Sequence, residues 1–147
     1  VWHDGPFGTI NGLRLGRLPI QQVDWSEINA AVGYAMALLD GIAAKAHFKF
    51  NKVVLSAKGS FSRLIRRKDG KTLHDVYWDN RLFQTRRLNA AFKGLLACVG
   101  EMCKVAQDVD RSLRLPYVIH EDRVANFRVT LGEDVEWTAA MKAMLTL

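Results

Sequence analysis

The sequence predicts an α+β domain in which three units, each a small β-sheet followed by an α-helix, form one pseudo-threefold globule. Three observations point there. The spacing of apolar residues switches between steps of two and steps of three or four, three times in 147 residues, with a period of about 50. Turn dipeptides fall inside the period-two segments: Gly5-Pro6, Asn11-Gly12, Gly59-Ser60 and Asp69-Gly70. The first and third helical segments open alike, on Val23-Asp24-Trp25-Ser26 and Val135-Glu136-Trp137-Thr138. Such a repeat lets three similar units share one core, and a chain of this length fits one domain.

In the first unit, Phe7, Thr9-Ile10, Leu13 and Leu15 alternate with Gly and polar residues, which predicts hairpin strands up to Pro19. Four glycines at 5, 8, 12 and 16 match neither G-x4-G-K-[ST] nor G-x-G-x-x-G, so they are turn residues rather than a phosphate loop. A helix follows from Asp24, with Glu27 three residues on as a capping box. Its expected apolar face is Ile28, Ala31, Val32, Ala35, Leu39, Ile42, Ala43 and Ala46, interrupted by Gly33 and Gly41.

In the second unit, one strand is expected through Phe48, Phe50 and Val53–Leu55, a second through Phe61, Leu64 and Ile65, and a third over Thr72–Val76. The second helix is expected to begin between Arg86 and Asn89 and to end by Asp108 or Asp110. Its apolar face is Leu88, Ala91, Phe92, Leu95, Leu96, Val99, Met102, Cys103 and Ala106. In the third unit a pair of strands, Leu115–Ile119 and Ala125–Leu131, flanks His120–Arg123. A helix opening near Glu133-Asp134 then buries Trp137, Ala140, Met141, Met144 and Leu145.

Charge is concentrated in Lys58–Arg87. That stretch holds nine of the 21 Lys and Arg against three acids, so it carries the whole net charge of +6. Two apolar clusters interrupt it, Val76-Tyr77-Trp78 and Leu82-Phe83. Basic residues beside aromatics suit an anionic surface, either lipid headgroups or nucleic acid.

Catalytic constellations are absent. His3, His47, His74 and His120 share no metal-ligand spacing, and there is no G-x-S-x-G elbow or C-x-x-C pair. The acids cluster at helix starts and turns, where capping accounts for them. Cys98 and Cys103 are five residues apart, about 140° around a helix, so they are read as buried free thiols of a reducing compartment. No enzyme, cofactor or metal is expected. No apolar run approaches the roughly 20 residues that cross a bilayer. The opening Val1-Trp2-His3-Asp4 has neither Met nor a signal-like segment. The chain is therefore expected to be part of a longer protein, with a last helix that continues past Leu147.

Two blocks carry a family resemblance: Trp2-His3-Asp4-Gly5-Pro6-Phe7-Gly8-Thr9-Ile10-Asn11-Gly12-Leu13-Arg14-Leu15-Gly16-Arg17-Leu18-Pro19 and Val23-Asp24-Trp25-Ser26-Glu27-Ile28-Asn29-Ala30-Ala31. Cys98-Val99, Leu115-Pro116-Tyr117, Glu136-Trp137-Thr138 and Met144-Leu145-Thr146 agree with them. Together they closely resemble the C-terminal β–α repeated (BARA) domain of the Beclin family of autophagy proteins, over nearly all of residues 1–147. The match weakens between Ser56 and Asn89 and across His120–Ala125.

The resemblance implies a fold of three strand–helix repeats and a non-catalytic subunit of a class III phosphatidylinositol 3-kinase complex. The expected setting is cytoplasmic and peripheral on endomembranes, at autophagosome precursors and endosomes. The implied partners are an anionic membrane and other subunits of the kinase complex, with no nucleic acid. It also implies a membrane finger of three aromatics just before the second helix. Ungapped counting back from Cys98 puts the finger at Leu82, Phe83 and Gln84. Matching Trp78-Asp79-Asn80 instead gives Val76, Tyr77 and Trp78, with about six extra residues before the helix. Either placement has fewer than three rings, so charge is expected to compensate, through Arg63, Arg66, Arg67, Lys68, Lys71, Arg81, Arg86 and Arg87. A domain docking an acidic partner subunit is the alternative, and a nucleic-acid module is a more distant one.

Overall fold

The computed structural model describes residues 2–79 and 84–146. Strands β1 (Trp2–Asp4), β2 (Phe7–Ile10) and β3 (Leu13–Leu15) form an antiparallel meander that leads into helix α1 (Trp25–Lys45). The turns are where the dipeptides put them, with positive φ at Gly5, Asn11 and Gly12. The second meander is β4 (Val53–Ser56), β5 (Arg63–Arg66) and β6 (Thr72–Asp75), followed by α2 (Gln84–Val109). The third is β7 (Ile119–His120), β8 (Arg123–Val124) and β9 (Phe127–Arg128), followed by α3 (Asp134–Thr146). Among the described residues the result is an α+β fold of three small sheets and three helices.

Several elements differ from expectation. The third sheet has three two-residue strands rather than two longer ones, because Glu121, Ala125 and Asn126 take positive φ and turn the chain twice in quick succession. Phe48 and Phe50 lie outside β4. Helix α1 ends in a Schellman arrangement, with His47 at φ 52° donating to Ala44 O and Phe48 N–H donating to Ala43 O, which aims both rings at one another edge-on. Phe61 belongs to a 3-10 turn, Gly59–Phe61, rather than to β5. Helix α2 begins two residues before the expected range. The expected capping box does not form: Asp24 makes no side-chain cap. The Glu27 carboxylate instead receives Arg14 Nε and NH2, each at 3.0 Å, and the Arg14 backbone N–H at 2.8 Å. A forked, charge-assisted pair outcompetes a single bond to a backbone N–H.

The apolar stripes meet in one core, with Phe7, Leu15, Ile28, Met36, Leu64, Leu88, Phe92, Leu95, Leu96, Trp137 and Met141 all essentially sealed. Ile42, expected on the core face, is 46% exposed, and Met36 takes the inward position instead. Where α1 crosses the 3-10 turn, a Cβ on Gly33 would lie 2.0 Å from Gly59 O, so only glycine permits that approach.

One contact recurs in all three units. On α1, Asn29 donates to Trp78 O and accepts from Trp78 N–H, both at 2.8 Å. On α2, Asn89 donates to Leu131 O at 3.5 Å and accepts from Leu131 N–H at 2.6 Å. On α3, Thr138 donates to Arg17 O at 2.6 Å and accepts from Arg17 N–H at 2.8 Å. Each helix thus clasps the backbone of the segment that leads into the next helix, and the third closes the ring on the first. The sequences around the clasps are Ile28-Asn29-Ala30-Ala31, Leu88-Asn89-Ala90-Ala91 and Trp137-Thr138-Ala139-Ala140, with the first and last residue of each buried. In this register Trp137 corresponds to Ile28, not to Trp25 as the opening tetrapeptides suggest. Trp137 is sealed in the core, whereas Trp25 is only partly covered and stacks on Trp78.

Candidate functional site

The basic stretch does not act as a unit. Arg63 pairs with Asp75 at 3.1 Å, across the β5–β6 ladder. Arg67 donates Nε to Phe50 O at 2.9 Å and NH2 to Val53 O at 3.2 Å, tying the hairpin back to β4. These two side chains hold the scaffold together. Arg66 pairs with Asp69 at 3.3 Å within the hairpin turn, where Gly70 takes φ 70°. Lys68 and Lys71 are exposed at the tip, and Arg86 and Arg87 are exposed on the first turn of α2. Arg81 lies outside the described residues.

The finger residues divide similarly. Leu82 and Phe83 lie outside the described residues. Gln84 is 5% exposed and faces inward, donating to Tyr77 O at 2.8 Å and accepting from Asp79 N–H at 3.0 Å. It fixes the approach to α2 rather than projecting from it. Val76 and Tyr77 are buried at 1% and 6% exposure, with Tyr77 edge-on to Phe61. Trp78 stacks on Trp25 at 5.2 Å while Asn29 holds both of its backbone groups. This arrangement contradicts a projecting Val76-Tyr77-Trp78, because insertion in a membrane would require all three to leave their packing.

Three adjoining grooves organise the exposed cations. The first lies between Asn51, Lys52, Arg66, Arg67, Lys68 and Leu73. Leu73 is shared with the second, where Thr72–Asp75 face Gln84, Arg86, Arg87 and Ala90. Arg86 and Ala90 are shared with the third, of about 780 Å³, which runs between Thr85, Asn89 and Lys93 of α2 and Asp122, Arg128 and Thr130 of the third unit. Among the described residues the three grooves together carry eight Lys and Arg against Asp75 and Asp122. His74 adds no charge near neutral pH, because burial lowers its pKa from 6.5.

Sequence reasoning missed Lys52, Lys93 and Arg128. Lys93 was accessible to it, being seven residues from Arg86 and hence on the same helix face. Arg128 reaches this face only through the packing of the third sheet, and no local pattern announces it.

At the other end of α2 the surface changes character. Leu38, Leu39 and Ile42 of α1, Leu95, Val99 and Met102 of α2, Leu115 and Met144 line an apolar groove of about 320 Å³. Among the described residues there is no cluster of metal-ligating side chains and no helix long and apolar enough to cross a membrane.

The family model for the Apg6 BARA domain matches residues 1–147. The chain is 41% identical over 154 residues to Beclin-1-like protein B of Dictyostelium discoideum, covering 99% of this chain and 18% of that protein. It is 37% identical to the vacuolar protein sorting-associated protein atg6 of Schizosaccharomyces pombe, covering 97% of this chain and 33% of the relative. With Beclin-1 of Danio rerio the identity is 32%, over 99% and 36%. The chain thus spans between about a fifth and just over a third of the length of these relatives. Matched from end to end, it belongs to the Apg6 BARA domain family.

Proposed function

We propose that this is the membrane-associating domain of a non-catalytic subunit of a class III phosphatidylinositol 3-kinase complex, acting in autophagy and endosomal sorting. The observation that carries the reading is the basic surface around the first described turns of α2, continuous across three grooves. The family supports the setting: its relatives include Beclin-1 and a vacuolar protein sorting-associated protein. On this reading the domain sits peripherally on endomembranes. Lys68, Lys71, Arg86, Arg87 and Lys93 face anionic headgroups, and Leu82 and Phe83 supply what apolar insertion there is.

Each basic residue near an anionic leaflet contributes about 1 kcal/mol, decreasing with salt. Vesicle flotation of the full-length protein across salt and anionic-lipid content tests the proposal. Binding is expected to weaken steeply with salt, and the double variant Arg86→Gln/Arg87→Gln to bind roughly 30-fold more weakly, the equivalent of about 2 kcal/mol. Binding indifferent to salt and to anionic lipid would overturn it.

The same charge suits an acidic partner subunit. Charge reversal at Lys68, Arg86 and Arg87 that disrupts complex assembly while sparing vesicle binding would favour that reading.

A further inference from the structure

We propose that the groove between the first turns of α2 and the third sheet binds a phosphomonoester on a lipid headgroup, giving the docking face a preference beyond net charge. The proposal deepens the membrane-docking reading and rests on it for the source of the phosphate.

Three cations border the groove. Arg86 and Lys93 stand seven residues apart on one face of α2, and Arg128 approaches from β9. All three are exposed, so each can reach a ligand without giving up packing. Thr85 and Thr130 add hydroxyl donors to the same walls. The groove therefore combines guanidinium, ammonium and hydroxyl donors around one opening.

Charge selects the ligand further. Among the described residues the acid in the groove is Asp122, so that lining carries a net of two positive charges. A phosphomonoester bears about −1.5 to −2 near neutral pH and presents three acceptor oxygens. A phosphodiester bears one negative charge and presents only two unesterified oxygens, so it meets fewer of these donors. The match is to one phosphomonoester.

The experiment compares vesicles of equal surface charge, one set containing phosphatidylserine and the other phosphatidic acid or a phosphatidylinositol monophosphate. The full-length protein is expected to bind the phosphomonoester set about tenfold more tightly, the worth of one charge-assisted hydrogen bond. Lys93→Gln and Arg128→Gln are expected to bring that ratio to near one, while weakening binding to phosphatidylserine only by the roughly fivefold per charge of any cation on the docking face. Lys68→Gln and Lys71→Gln should weaken both sets equally. A ratio of one in the unmodified protein, or a ratio that survives Lys93→Gln and Arg128→Gln, overturns the groove and leaves membrane docking intact. A second arm adds soluble glycerol phosphate and follows backbone amide resonances. Shifts at Thr85 and Arg86 in a protein that binds neither vesicle set would overturn the lipid source and point to a free phosphate compound.

Discussion

The Asn29 side chain holds both backbone groups of Trp78, accepting from its N–H and donating to its carbonyl at 2.8 Å each. Asn29 is 8% exposed, and it belongs to a different repeat from Trp78, which enters α2. One amide therefore satisfies two main-chain groups in a segment without strand partners of its own. Asn29→Ala would remove both bonds, at a cost of about 1–3 kcal/mol. Urea unfolding should show a lower midpoint at unchanged slope. Thr138→Val, which removes the corresponding clasp on Arg17, should act in the same direction.

Two glycines of α1 should respond with opposite sign to the same substitution. At Gly41 an added Cβ meets nothing within 4 Å, so Gly41→Ala should stabilise the helix by about 0.5–1 kcal/mol. At Gly33 the Cβ would lie 2.0 Å from Gly59 O and 2.7 Å from Gly59 C, backbone atoms that cannot rotate away. Gly33→Ala should destabilise by about 1–3 kcal/mol as α1 is pushed off the turn. Thermal unfolding of the two variants side by side checks the contrast.

Glu27 should make part of the acid sensitivity. Its hydrogen bonds from the Arg14 side chain and backbone lower its pKa below the ordinary 4.5. The stabilisation is therefore fully present above the unfolded-state pKa and is lost as pH falls through the lowered folded value. Glu27→Gln should lower stability at neutral pH and flatten its decline below about pH 4.5. Unfolding midpoints measured between pH 3 and pH 7 show whether the curves converge at the acid end.

How much could be read from the residues depended on the range of the interaction. Asn11-Gly12 and Asp69-Gly70 act within four residues, and both turns form as expected. The three helices follow from apolar spacing, which their own residues carry. Glu27 was misassigned because its partner, Arg14, lies 13 residues away on β3, and local capping is the only alternative visible from sequence. The Asn-Ala-Ala and Thr-Ala-Ala repeats were present in the chain, but a mid-helix Asn has no local signature that marks it as a clasp. The basic face was legible in part. Lys68, Lys71, Arg86 and Arg87 are exposed, whereas the Arg63 and Arg67 side chains bond to Asp75 and to main-chain carbonyls brought near by the sheet. Val76 and Tyr77 are buried, and Tyr77 meets Phe61, a contact that no count along the chain reveals.

Cys98 should resist thiol reagents in the folded protein. Burial, with a smaller contribution from Glu101, raises its pKa to about 12, and burial raises that of Cys103 as well. Almost no thiolate is then available at neutral pH. Alkylation followed by mass spectrometry should show both sites unmodified until denaturant is added. Rapid labelling of the native protein would contradict their placement in the core.

Hydrogen exchange of the full-length protein with and without anionic vesicles tests the docking face most directly. Slower exchange is predicted in residues 66–71 and 84–93, the hairpin tip and the first turns of α2, with no change over residues 34–42 of α1. Protection centred on residues 34–42 and 113–116, around the apolar groove, with the basic face unaffected, would contradict the account.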